Sequence, residues 1–150
     1  MDIAQGICDV ESHLDKMLGT HVIESRTVAT MTVRACGALG IVPPDIRVFT
    51  YRMEHSPQGQ YRANPSPVIH LFGVGCTRVT VCHEIAHHIA NTRRNGDAEH
   101  GLDFADAYCE VLETMFPERA DEFWLLFHRN GVPVTRPDVR GLMLKWAARQ

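Results

Sequence analysis

A chain of 150 residues suits one domain, residues 1–150, around one continuous core, and 45% hydrophobic with 22% charged residues is ordinary for a globular fold. The formal net charge of −3 excludes a general attraction to nucleic acid or to an anionic membrane surface. The five cysteines (Cys8, Cys36, Cys76, Cys82, Cys109) are odd in number and never spaced C-x-x-C, which argues against a disulfide scaffold or zinc ribbon and predicts reduced thiols in a cytoplasm.

The first residues, MDIAQGICDVESHLD, have neither the basic flank nor the apolar stretch of a secretory signal. No apolar run approaches the ~20 residues of a membrane span, so a cytoplasmic protein is expected. Thirteen Arg against two Lys (Lys16, Lys145) reads as compositional bias and carries no mechanism.

In chain order, IAQGICDVESHLDKML has apolar residues at helical spacing and is stopped by Gly19. ESRTVATMTVRACGAL predicts a second helix, with Ser25 as a cap and Gly40 as a stop, although its Thr and Val residues also tolerate a strand. PPD at 43–45 ends the helical region. IRVFTYRM (46–53) alternates as a strand, HSPQG is a turn, QYRA a short second strand, NPSP another turn and VIHLFG (68–73) a third strand. Gly73, Gly75 and Thr77 lead into a histidine-rich helix. LDFADAYCEVLETMF, ERADEFWLLFHRN and PDVRGLMLKWAARQ then predict three more helices, separated by Pro117 and by Gly131–Pro133. The expected fold class is α+β: a small antiparallel sheet of about three strands packed with the histidine helix and several further helices.

The segment TVCHEIAHHIANTRRNGDAEHGLDF (80–104) holds four of the nine histidines. His83 and His87, spaced i, i+4, share one helix face and can bind one metal ion, Zn2+ by this motif's chemistry. Glu84 projects ~100° around from His83, beside the ion without ligating it, where a carboxylate acts as general base. Cys82, Ile85, Ala86 and Ile89 fall on the opposite side and face the core. His88 reads as a surface or supporting histidine. Asn91, one turn beyond His87, either hydrogen-bonds near the site or is exposed.

A catalytic zinc usually has three protein ligands and one open position. Asp106, Glu110 and Glu113 lie at a distance that suits a carboxylate ligand on a later helix. His100, in EHGLDF, is the better third ligand: NTRRNGDAEHG (91–101) supplies a turn-rich reversal after the motif helix, with Asn95–Gly96 its strongest turn signal, and Gly101 permits close backbone approach. The acids at 103, 106, 110 and 113 then form a solvated face, with one of them able to bond a ligand's second imidazole nitrogen.

HEIAHHI followed by HGLDF resembles the SprT-like zinc metallopeptidases, whose pattern is H-E-x-x-H and then H-G-x-x-F or H-G-x-x-W. VTVCHEIAHHIA…HGLDFADAYCEVL is similar to a family of short bacterial and phage metallohydrolases. The match covers about residues 79–112. It implies zinc on His83, His87 and His100, Glu84 as general base, and a zincin-type fold in which an edge strand ahead of the active-site helix holds an extended peptide; VIHLFG is the expected edge. The chain has neither the C-x-x-C pairs nor the basic, aromatic-interleaved run with which such proteins engage nucleic acid, so no nucleic-acid partner is expected.

The expected function is a zinc-dependent hydrolase, a metallopeptidase acting on a peptide or protein. The alternatives are a non-catalytic zinc-stabilised binding or regulatory module, with Asp103 or Asp106 closing the site, and a metal-free helical protein with a chance motif. Tyr108 reads as a half-buried aromatic on an amphipathic helix, with oxyanion stabilisation as its functional alternative. His70 reads as solvent-facing, with substrate contact as the alternative. Phe104, Trp124, Leu125, Phe127 and Trp146 are expected in the core or a subunit contact. Arg129, Arg136, Arg140, Lys145 and Arg149 make the tail basic against an acidic 97–122, which predicts complementary solvated faces.

Overall fold

In the computed structural model, which describes residues 2–50, 58–73, 76–94, 100–135 and 139–150, Asp2 caps the first helix by accepting from the Ala4 N–H at 3.0 Å. That helix, α1 (Ile3–Leu18), buries Gly6, Ile7, Val10 and Leu14 on one stripe and ends at Gly19, whose φ of 85° only glycine adopts easily. Helix α2 (Ser25–Ala38) begins one residue earlier than its expected cap: Glu24 holds the capping position, without a side-chain bond, and Ser25 is already helical. Gly40, at φ 70°, lets the Ile41 N–H return to the Cys36 carbonyl at 2.9 Å and so terminates α2.

Three strands follow: β1 (Asp45–Phe49), β2 (Gly59–Arg62) and β3 (Val68–Phe72). Their order in the sheet is β1-β3-β2, with β1 parallel to β3 and β2 antiparallel to it. The α+β class holds, but the sheet is mixed and not antiparallel throughout. VIHLFG is accordingly the central strand, not the edge. Its apolar character explains why: Ile69 and Leu71 are fully buried against α3, while the flanking strands carry the exposed Arg47 and Arg62. The outward face of β3 holds His70, edge-on to both Phe49 and Phe72. It therefore points away from the helix carrying the motif.

Helix α3 (Arg78–Arg94) is the histidine helix. Thr77 caps it, its hydroxyl accepting from the Thr80 N–H at 3.2 Å. It runs through the middle of the molecule against α1, α2, β2 and β3, and packs most extensively on α4 (Leu102–Met115). A short 3-10 turn (Pro117–Arg119), α5 (Ala120–Arg129) and α6 (Val139–Ala147) complete the chain. Phe104 and Phe127 are fully buried, and Trp124 and Leu125 nearly so, as their spacing predicts; Tyr108 and Phe123 are fully buried as well. The buried side chains form one cluster.

The expected strand residues 51–53, turn residues 55–57, Gly75, the Asn95–Gly96 turn, Arg136 and the start of the last helix at 137–138 lie outside the described residues, as do the side chains of Arg140 and Trp146. No described helix is long and apolar enough to cross a membrane.

Candidate metal centre

The i, i+4 spacing on α3 brings His83 and His87 to one face, with 3.1 Å between their Nε2 atoms. His100 enters from the residue preceding the Gly101 cap of α4, its Nε2 3.1 Å from that of His87 and 3.2 Å from that of His83. The two adjacent packed helices hold the three rings in a triangle. A tetrahedral ion with bonds of ~2.0–2.1 Å to imidazole needs nitrogens ~3.3 Å apart, so the observed triangle fits one ion with little adjustment. These three side chains form the group that could hold a metal among the described residues. Gly101 is not needed for a close approach: its φ is −97°, and a Cβ there would meet nothing within 4 Å.

Phe104 forms the apolar floor under this triangle. Its ring centroid lies 5.0, 4.4 and 4.7 Å from those of His83, His87 and His100, and it is fully buried. One turn into α4 from His100, it fixes three rings at once, which gives a physical reason for an aromatic at the fifth place of HGLDF. Cys82 adjoins His83 in sequence but is buried on the far side, its thiol pushed up to about 12 by desolvation.

Among the described residues, none of the acids following the motif joins the triangle. Asp103 pairs with Arg94, and Asp106 accepts from the Thr135 N–H at 2.8 Å and its hydroxyl at 2.6 Å. Glu110 pairs with Arg93 at 2.7 Å, and Glu113 accepts from the Trp124 indole at 3.2 Å. Their face is partly exposed, as expected, and each of the four also makes a tertiary contact. The carboxylate that does meet a ligand's second nitrogen comes from α1: Glu11 Oε1 lies 2.5 Å from His83 Nδ1. The same oxygen accepts from the Tyr108 hydroxyl at 3.1 Å, which also reaches the Val79 carbonyl at 3.2 Å. Tyr108 is thus a buried core aromatic, and its hydroxyl is turned towards Glu11.

Glu84 is 6% exposed, yet it lines the cleft beside His83 and His87. Burial raises its pKa, against the lowering effects of His83 and of a hydrogen bond from the Tyr61 backbone N–H. That bond is possible because β2 lies directly against the carboxylate. A Cβ on Gly59 would stand 2.9 Å from Glu84 Cγ and 3.0 Å from its Oε1, so only glycine fits here unless Glu84 moves. Burial also opposes a charge on His83, but the hydrogen bond and charge of Glu11, with the charge of Glu84, outweigh it and raise its pKa.

Tyr61 anchors the strand on the helix. Its hydroxyl lies 3.2 Å from His88 Nδ1 and 3.4 Å from Asn91 Oδ1. His88 Nε2 is 2.7 Å from the Val42 carbonyl, which can only accept, so the proton sits on Nε2 and Nδ1 accepts from Tyr61. His88 is 2% exposed, buried and not a surface residue. Asn91 is the polar partner of Tyr61 and also lines the cleft.

The cleft measures about 810 Å³ and runs from the start of α1 past Gly59–Tyr61 to the three histidines. The Phe72 N–H bonds the Gln58 carbonyl at 2.9 Å, so Gln58, Gln60 and Arg62 pair with β3. By the alternation of an antiparallel ladder, the backbone groups of Gly59 and Tyr61 point away from β3. The edge strand beside the site is therefore β2.

His83, Glu84, His87 and His100 are brought together where the sequence places them, and Glu11, Gly59 and Tyr61 join them from elsewhere in the chain. Searched against known protein families, curated proteins and solved structures, the chain matches none.

Proposed function

We propose that this protein is a zinc-dependent hydrolase of zincin type, and within that class a metallopeptidase resembling the SprT-like enzymes. The observation that carries the reading is the convergence of three imidazole Nε2 atoms on one point in the wall of a cleft, with a buried carboxylate beside them. Three neutral imidazoles suit zinc, and three protein ligands leave a position open. The chemistry zinc supplies when so held is Lewis acidity, which makes water nucleophilic near neutral pH.

The chain's own groups do the rest. Glu84, its pKa raised by burial, accepts the proton of the attacking water and returns it to the departing amine. The Tyr61 N–H keeps that carboxylate aimed into the cleft. An extended peptide is held along the open side of β2, where Gly59 and Tyr61 present backbone groups. This assigns to β2 the role that the sequence alone suggests for VIHLFG.

A zinc-stabilised module without catalysis would need a fourth protein donor. Asp103 and Asp106, the acids expected to close such a site, are held by Arg94 and Thr135. A buried Glu84 facing an open cleft also favours catalysis over a closed structural site.

Elemental analysis of purified protein, coupled to hydrolysis of an unstructured protein such as casein, tests the reading. The expected result is one zinc per chain and activity lost to a chelator. Glu84→Gln should retain the metal and lose on the order of 10²–10⁴-fold in rate. Absence of stoichiometric metal after zinc addition would overturn the proposal, and an unimpaired Glu84→Gln variant would remove Glu84 from its role.

A further inference from the structure

Glu11 lies 72 positions before His83, on a different helix, and no part of the motif points to it. Its Oε1 meets His83 Nδ1 at 2.5 Å, on the opposite edge of the ring from the Nε2 that faces His87 and His100. An imidazole has two nitrogens and, when neutral, one proton. If that proton sits on Nδ1, Nε2 presents a bare lone pair; if it sits on Nε2, the ring cannot ligate from that side. A carboxylate can only accept, so Glu11 selects the ligating tautomer.

Glu11 is itself held. The Tyr108 hydroxyl reaches the same oxygen at 3.1 Å from a fully buried ring. Helix α1 is pinned close to the start of α3, where Arg78 donates to the Leu18 carbonyl at 3.1 Å and lies 2.8 Å from His21 Nε2. Gly6 brings α1 against the turn after α5 so tightly that a Cβ would stand 2.8 Å from the Asn130 carbonyl oxygen. The carboxylate thus reaches His83 from a fixed helix. A surface ion pair of two long, mobile side chains would have no such constraint.

We infer that Glu11 is a positioning residue of the metal centre: supported by Tyr108, it holds His83 in the tautomer and orientation that bind the ion. This rests on the metal reading proposed above. It also makes α1 a working part of the site and not only its cover.

The test measures zinc affinity by competition with a chromophoric chelator for the full-length wild type, Glu11→Ala, Glu11→Gln and Tyr108→Phe. Glu113→Gln, which removes an equal charge at a contact with Trp124, serves as control. Glu11→Ala should weaken zinc about 10- to 100-fold. Glu11→Gln should recover part of the loss, because its amide oxygen still accepts, and Tyr108→Phe should show a smaller loss in the same direction. Long-range 15N NMR of the zinc-free protein should find His83 protonated on Nδ1 in the wild type and redistributed towards Nε2 in Glu11→Ala. If Glu11→Ala fails to fold, Glu11→Gln and Tyr108→Phe decide by the same two readouts. Wild-type zinc affinity in the Glu11 variants with an unchanged His83 tautomer overturns the inference and leaves the metal reading standing. A wild type that takes up no zinc overturns both.

Discussion

Gly59 shows how much of this site depends on an absent methyl group. The strand residue nearest Glu84 has to be glycine, because a Cβ would press on Glu84 Cγ and Oε1 and stand 3.0 Å from Thr80 Cγ2 as well. Gly59→Ala leaves His83, His87 and His100 untouched but displaces the carboxylate or the strand. Metal content should stay at wild-type level while kcat/KM falls on the order of 10- to 100-fold, since small misplacements of a reacting group cost that much. Parallel zinc analysis and kinetics would check it, and unchanged kinetics would mean that β2 does not press on Glu84. His83, Glu84, His87 and His100 are legible in the sequence because helical period and a short return suffice to bring them together. Glu11 is not. Asp9, Glu11 and Asp15 look alike in CDVESHLD, and only the packing of α1 beside α3 decides which one meets a histidine.

Among the elements, α1 gives the sharpest contest between local and tertiary preference. Alanine in place of a glycine inside a helix usually gains up to ~1 kcal/mol in helix propensity, an upper bound for Gly6 in the first turn of α1. At Gly6 the new Cβ would meet the Asn130 carbonyl oxygen and Val132 Cγ2, both at 2.8 Å. Overpacking of this kind costs ~1–3 kcal/mol and should win, because one of the two neighbours is backbone and cannot rotate aside. Gly6→Ala is therefore expected to lower the denaturation midpoint in urea; a stabilised variant would show that α1 can lift from α5 at no cost. The bounds of α1 and α4 follow from apolar periodicity and their end signals, whereas the histidine helix runs on to Arg94, through the NTRR that reads as the start of a reversal. Strand order does not follow from such signals. Alternation identifies a strand but not its neighbours, and an apolar VIHLF could sit at an edge or in the middle until the helix on one side and the flanking Arg47 and Arg62 are known.

Across the whole molecule, the centre draws on α1, α3, β2 and the residue leading into α4, so it exists only when these are assembled. An ion that binds the assembled site and not the unfolded chain stabilises the fold by mass action, ~4 kcal/mol when zinc is a thousandfold above its Kd. For a domain of this size that corresponds to a rise in Tm on the order of 10 °C. Calorimetry with and without zinc, then with excess chelator, should show the rise and its reversal. A midpoint that ignores stoichiometrically bound zinc would mean that the ion holds equally well to the unfolded chain, and the picture of a site made by tertiary packing would fall.

Strand β2 is only four residues long. Gly59 and Tyr61 present four backbone groups on its open side, and Glu84 already occupies the N–H of Tyr61. A second copy arriving rim to rim would find a ladder two residues long with one rung missing, too little to seed cross-β stacking or sheet-to-sheet aggregation. An aperture of this size can hold a guest segment under the grip of side chains while resisting edge-to-edge pairing through β2.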